Sequence, residues 1–514
     1  MHGTALKSIA LGIALAPWPV AALAASTAPG CPTLEKFLAD KALDVVCFHS
    51  NDLRTNNPAT GDQAITPANN SITKFPDDTP LPGLLSGTNS FTPVTDRGVI
   101  SNGPAPSAGP VPGIQVEGWF ADDKTQQARF VLRFPDTWNG NLVVAGASGT
   151  RSEYNGDWAW SDYVLPRGYA YASQNKGVLN LYLVSLASPT QPTTDPLSCR
   201  LNPASTVWVH FYDNDPQKPF TQWTDYMLKT AELAQDALKA NFKQKPRYTY
   251  AVGTSNGGYQ VRRAMEEAPN LFDGGVDWEG TYIDPSGPNI LIDLPPAISN
   301  FPAYVASNFD PNSQAAKNIL AAGYPPDIVN RSVTPVDSLW SRYSGQFWEV
   351  TACQWQERFD PTYPTYTAGL GNYDYLARSQ TVPGVFNSVE AVETTGKIKK
   401  PLLTVAGTMD ALLPIKRQAR AYESAVDASR KGNNDQRNAQ YRLYEVQNGN
   451  HIESYVTLFP QLALIQPHAQ RAFDLLVEHV ENKADLPPSQ CIPKNGAISS
   501  TPSAPGHCAQ LLAP

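Results

Sequence analysis

The sequence predicts an α/β fold, a mostly parallel sheet with helices on both faces and an inserted lid domain. Three observations carry that expectation. Short apolar runs such as Asn141 to Ala145, Tyr248 to Val252 and Leu402 to Ala406 alternate with helix-like stretches, the pattern of strands buried on both faces of a parallel sheet. One of these runs leads directly into Gly253-Thr254-Ser255-Asn256-Gly257-Gly258 and then a helical stretch from Tyr259 to Glu267. Between residues 281 and 395 the alternation dissolves into loops and short helices rich in Trp and Tyr, which marks an insertion.

At 514 residues the chain exceeds one ordinary core and suits a large domain carrying that insertion. Hydrophobic residues at 41% and charged residues at 17% describe a folded chain, and a net charge of -8 without a basic cluster argues against nucleic acid as a partner. Residues 1–24 read as a signal peptide, with Lys7 ahead of the apolar Ile9 to Ala16 and a small-residue cleavage site at Ala22-Leu23-Ala24. The mature chain is therefore expected to be secreted or periplasmic. No later run is long and apolar enough to predict a membrane helix. The cysteines Cys31, Cys47, Cys199, Cys353, Cys491 and Cys508 include no Cys-x-x-Cys metal or redox pair. No cofactor is expected. Their even number in an exported chain points to disulfides, with Cys31 paired to Cys47, Cys491 to Cys508, and Cys199 to Cys353 across the long interval.

Residues 25–112, rich in Pro, Thr, Asn, Ser and Gly, read as an N-terminal extension with one amphipathic fragment between Leu34 and Cys47. The main domain is expected over 113–280 and 396–514. Alternation around Ile114 and Val116, and again at Phe130, Leu132 and Phe134, predicts an antiparallel pair of strands. Buried strands follow at Asn141 to Ala145 and Tyr169 to Ala172. The apolar spacing of Tyr226, Met227, Leu233, Ala234, Ala237 and Leu238 predicts a helix over 225–242, which Pro246 ends. Strands are expected at Tyr248 to Val252, Gly274 to Trp278, Leu402 to Ala406 and Tyr441 to Val446, and a closing helix from Ala469 to Val480.

Strand, Gly-x-Ser-x-Gly and helix together form a nucleophile elbow, in which glycines permit a turn sharp enough to hold Ser255 above the sheet. A bland reading is a Gly/Ser-rich turn, but the flanking strand and helix are the context the motif requires. A serine hydroxyl needs an imidazole to take its proton. Of His49, His210, His451, His468, His479 and His507, the best placed is His451, in the loop Asn448-Gly449-Asn450-His451 after a strand. The imidazole in turn needs a carboxylate. The loop Gly407-Thr408-Met409-Asp410 directly follows the strand Leu402 to Ala406, so Asp410 stands at its carboxyl end and gives the chain order Ser, Asp, His; Asp277 and Asp284 are the reserves. For the oxyanion, the backbone N–H of Asn256 is one expected donor, and Ser148 or Gly149, after the strand Asn141 to Ala145, the other.

The elbow, the Asp410 loop, the His451 loop and the insertion before the acid strand together resemble the α/β-hydrolase superfamily over about residues 113–482. Within it, Gly149-Thr150-Arg151, Tyr169 to Lys176 and Ser255-Asn256-Gly257-Gly258 are similar to exported 3-hydroxybutyrate oligomer hydrolases and to tannases and feruloyl esterases. Where tannases and feruloyl esterases usually carry cysteines beside the serine and the histidine, this chain has Thr254, Asn450 and Ile452. The resemblance implies a secreted serine esterase. The expected substrate is a small or oligomeric carboxylic ester, a phenolic ester or a short hydroxyalkanoate polyester, cleaved through an acyl-enzyme. Two other classes fit less of the sequence. A lid-bearing serine exopeptidase would need an acidic pair for a free amino terminus; Glu266-Glu267 exists but lies in the helix after the elbow, and a binding module on an inactive hydrolase fold would not need the three residue types in this order.

Overall fold

The computed structural model describes residues 30–54, 109–123, 128–149, 152–177, 182–185, 198–200, 207–210, 220–431 and 440–514. The expected signal peptide and most of the expected extension lie outside the described residues. Ten strands make one sheet: β1 (Ala42–Ser50), β2 (Gly113–Phe120), β3 (Arg129–Pro135), β4 (Asn141–Gly146), β5 (Ala170–Gln174), β6 (Tyr248–Thr254), β7 (Gly274–Trp278), β8 (Leu402–Gly407), β9 (Tyr441–Val446) and β10 (Gln490–Ile492). Their spatial order is β1-β2-β3-β5-β4-β6-β7-β8-β9-β10. The first four in that order pair antiparallel, and every pair from β5/β4 onward is parallel. This is the α/β-hydrolase fold. The order runs β5-β4-β6 because the chain steps back over β4 after β5, and since these pairs are parallel the carboxyl ends of β4, β6, β7, β8 and β9 all open toward one edge.

Alternation along each strand divides the core in two. Leu142, Val144, Ala170, Ala172, Ala251, Leu402 and Ala406 face helices that include Thr221–Phe242, Asn256–Glu267 and Ala419–Arg430, through residues such as Met227, Ala234, Val261, Met265 and Tyr422. Val143, Ala145, Tyr171, Tyr250, Val252, Val276, Leu403 and Val405 face the helix Gln466–Asn482 through Ala469, Phe473 and Leu476. A strand buried on both sides must be apolar at nearly every position, and that is why these runs are legible.

Two elements fall where the sequence suggested none. β1 lies within the interval read as an extension, yet it pairs with β2 from Ala42↔Phe120 to Ser50↔Gly113. As an edge strand it is only partly buried, so its sequence lacks a strong apolar pattern. β10 likewise falls in the proline-rich tail. Disulfides pin both regions, Cys31–Cys47 from within β1 and Cys491–Cys508 from within β10. Cys353 is also disulfide-bonded, while the side chain of Cys199, its expected partner, lies outside the described residues.

Between β7 and β8 the chain forms six short-to-medium α-helices, Ile290–Ala306, Gln314–Ala321, Leu339–Tyr343, Glu349–Phe359, Tyr375–Thr381 and Val385–Glu390, together with a four-residue turn of helix at Thr365–Ala368. Trp340, Tyr343, Trp348, Trp355, Tyr373 and Tyr375 are buried in the core of this segment. They are packing residues first. That core is continuous with Met409, Ala411, Leu412 and Leu413 of the loop after β8, so the inserted segment rests directly on the carboxyl edge of the sheet.

Candidate active site

Ser255 follows β6 directly and caps the helix Asn256–Glu267 with φ 57° and ψ -120°, a conformation that L residues avoid. Glycine makes the turn possible. A Cβ at Gly253 would strike the backbone of Gly257, and one at Gly257 would strike the carbonyl of Gly146 on β4. The same absence of side chains lets the next loops meet: a Cβ at Gly407 would run into Gly449, and Met409 N–H donates to Gly449 O at 2.8 Å. The loops after β8 and β9 are thus stitched together just where Asp410 and His451 emerge.

The sequence-predicted trio converges. Ser255 Oγ lies 3.0 Å from His451 Nε2, and His451 Nδ1 lies 2.8 Å from Asp410 Oδ2. Asp410 Oδ1 accepts the N–H groups of Leu412 and Leu413, each at 2.7 Å. All three side chains are buried, Ser255 least so at 6% exposure. With Nδ1–H directed at the carboxylate, Nε2 presents its lone pair to the serine hydroxyl, the arrangement that lets an imidazole act as base.

The reserves have other duties. Asp277 is fully buried against Arg262 at 2.6 Å and also accepts from Gly280 N–H and Thr404 Oγ1, so it holds the elbow helix to the sheet. Asp284 accepts from Ser286 N–H in a turn. Glu266 takes the N–H groups of Thr395 and Gly396 and the hydroxyl of Tyr422, and Glu267 pairs with Arg263, so the acidic pair weighed for a free amino terminus is engaged in structure. His49 pairs with Asp136, His507 with Glu423, and His479 Nδ1 with Ala484 O; the side chain of His210 lies outside the described residues.

The expected oxyanion donors divide. Asn256 begins its helix, where a backbone N–H has no intrahelical partner, and its side-chain Oδ1 is held by Thr281. The N–H of Ser148 is committed to Asn155 Oδ1 at 2.8 Å, which removes it as a free donor. Its neighbour Gly149 has φ 46°, a left-handed turn at the mouth of β4. Lys176, buried beneath this loop, donates to the carbonyls of Ala147 and Ser148 and so turns those oxygens inward.

One residue at the site has no counterpart in the sequence reading. Glu279 follows β7 directly, and its Oε2 lies 3.5 Å from His451 Nδ1. Its Oε1 accepts from Gly407 N–H at 3.0 Å. Burial, with the charge of Asp410 beside it, holds this carboxyl well above the usual carboxylate range. The only signal was its position at the end of a strand next to the acid strand. Glu279, Asp410 and His451 have potential ligand atoms within 4.8 Å of one another. Both ring nitrogens of His451 are already hydrogen-bonded, however, which leaves no lone pair on the ring for a metal.

Residues 370–508, the stretch that carries Asp410 and His451, match the family model for 3HB-oligomer hydrolase (3HBOH). Over 127 residues the chain is 29% identical to a D-(-)-3-hydroxybutyrate oligomer hydrolase of Burkholderia thailandensis, an alignment covering 23% of this chain and 18% of that relative. Solved structures to which the chain is similar include feruloyl esterase B from Aspergillus oryzae, with a TM-score of 0.46, 12% identity, and coverage of 79% of this chain and 89% of that one. The tannin acyl hydrolase from Aspergillus niger has a TM-score of 0.39 and 13% identity, covering 76% and 82% respectively. The relationships named in the sequence analysis are thus the ones found. The matched family region contains Asp410 and His451 but not Ser255.

Proposed function

We propose that this chain is a secreted serine hydrolase of carboxylic esters, with phenolic esters or short hydroxyalkanoate oligomers as its substrate class. The observation that carries the reading is the unbroken chain of contacts from Ser255 Oγ through His451 to Asp410. In this mechanism Ser255 Oγ attacks the ester carbonyl while His451 Nε2 takes its proton. Asp410 keeps the ring in the tautomer that permits this and stabilises the imidazolium. The oxyanion is received by the N–H of Asn256 and by the loop after β4, where Gly149 remains the second donor. The imidazolium then protonates the departing alcohol, and water, activated by the same nitrogen, releases the acid from Ser255.

The bonding of Asn450 in place of a cysteine supports an esterase that fixes its histidine loop without the bridge of tannases. Asn450 Oδ1 accepts from Tyr343 of the inserted segment, and Asn450 Nδ2 donates to Ile452 O. Export is supported by the disulfides and by residues 1–24; among the described residues no helix is long and apolar enough to cross a membrane.

Turnover of p-nitrophenyl esters by the purified mature chain tests the reading. Ser255→Ala should lower kcat/KM by about 10⁴-fold or more while thermal unfolding stays cooperative. Activity retained near the wild-type level would exclude the mechanism.

A further inference from the structure

We propose that Glu279 is a second positioning carboxyl of the triad, set against the same edge of His451 as Asp410 and able to take over its role. The inference rests on the serine hydrolase reading and extends it by one residue.

Three features of Glu279 are each unfavourable for a residue that merely fills space. Its backbone has φ 53°, which a residue with a Cβ adopts at a cost of about 1 kcal/mol or more, and glycine would fit there freely. Its side chain is buried. Its Oε2 makes no hydrogen bond of ordinary length, and it lies 3.5 Å from His451 Nδ1, with the Trp278 indole also facing the carboxyl. A buried carboxyl oxygen without a partner is destabilising, and such groups in folded proteins commonly have a functional explanation.

The backbone explains the aim of the side chain. Glu279 N–H donates to Val405 O on β8, and Gly407 N–H holds Oε1. Both contacts come from the strand that delivers Asp410. Adjacent parallel strands therefore end in two carboxyls that converge on one imidazole nitrogen. Asp410 has the shorter contact and two further N–H donors, so it carries the charge, and Glu279 faces it as the protonated partner. The site then holds one negative charge rather than two, which suits a buried imidazole that becomes cationic only transiently. The other titratable groups facing Glu279 are Glu453, which raises its proton affinity further, and Tyr343 of the inserted segment. If Asp410 is made neutral, the charge that keeps Glu279 protonated is gone. Glu279 can then ionise and accept Nδ1–H, and the productive tautomer is kept.

The test uses the full mature chain and p-nitrophenyl butyrate between about pH 5 and pH 9, with wild type, Ser255→Ala, Asp410→Asn, Glu279→Gln and the double variant Asp410→Asn/Glu279→Gln. Glu279→Gln alone should lose less than about 10-fold in kcat/KM, and its acid limb should coincide with that of wild type, since a neutral group replaces a neutral group. Asp410→Asn should lose about 10²-fold, short of the ~10⁴ that follows when a triad has a single acid. The double variant should lose about 10⁴-fold. Asp410→Asn should also show a steeper fall toward low pH than wild type, because its activity depends on an ionised Glu279. A double variant no slower than Asp410→Asn overturns the inference, and should the double not fold, an Asp410→Asn profile parallel to wild type does the same. Ser255→Ala turning over at the wild-type rate would instead remove the serine reading and this inference with it.

Discussion

Ser255 and Glu279 both hold left-handed backbone at the ends of neighbouring strands, yet only one of them could be found by reading. Ser255 lies in a pattern whose glycines are dictated by close backbone approach, so the strain leaves a trace in the sequence. Glu279 follows Trp278 without any motif, and its place beside His451 exists only once β7 and β8 pair. Asp410 and His451 could be named as candidates because each lies in the loop just after a strand and their order along the chain, after Ser255, is the one a hydrolase triad would have. Ser148 shows the reverse case: its position was right for an oxyanion donor, but Asn155 takes its N–H. His468 allows a test of a different kind at this scale. Burial holds its imidazole down at about 4 against an ordinary 6.5. The unfolded chain therefore binds a proton that the folded chain does not between those values, and stability is lost as pH falls through that window. For a half-buried ring the loss near pH 5 is roughly 1–2 kcal/mol. His468→Gln should thus melt higher relative to wild type at pH 5 than at pH 7.5, by about 1–3 °C in a pH series of thermal scans. A difference that stays constant with pH would refute this assignment.

At the scale of elements, the buried strands and their helices were read correctly because a sheet covered on both faces imposes an apolar run with little freedom. The helix Ile290–Ala306 was not, since Pro295, Pro296 and Pro302 lie inside it. It forms because Asn289 caps Leu291 N–H and because Ile290, Leu291, Leu294 and Ala297 enter the core of the inserted segment. Burial there outweighs the missing donors. The elbow is tighter than its motif states. Gly257 sits against β4, so Gly257→Ala must push the elbow helix away from the sheet. The expected cost is about 1–3 kcal/mol of stability, with a much larger loss in kcat because Ser255 moves with the helix. Denaturant unfolding and steady-state kinetics on the same variant would measure both; unchanged kcat in a destabilised protein would separate the elbow from catalysis.

On the scale of the whole molecule, the tail closes the site from below. Thr408, two residues before Asp410, donates to Leu511 O, and Asn448, three before His451, exchanges hydrogen bonds with Ala513 at 2.8 and 2.6 Å. The Cys491–Cys508 disulfide, spanning 17 residues, holds that tail in place. Replacing both cysteines by serine should cost about 3 kcal/mol by loss of the loop constraint. It should also lower kcat/KM, because the loops bearing Asp410 and His451 lose their support; a fall in Tm with kinetics untouched would show the tail to be a passive tether. By itself the sequence determined the fold class, the central buried strands and the serine-bearing turn between strand and helix, because each follows from local periodicity or turn chemistry; it offered the Cys31–Cys47 and Cys491–Cys508 pairings only as one choice among many, and the structure forms both. Only the tertiary structure decided that residues 42–50 form an edge strand, that Asp277 serves Arg262 instead of the imidazole, that Ser148 is spoken for, and that Glu279 stands beside Asp410. Those outcomes depend on which strand lies next to which, and pairing between distant segments leaves no periodic mark on either of them.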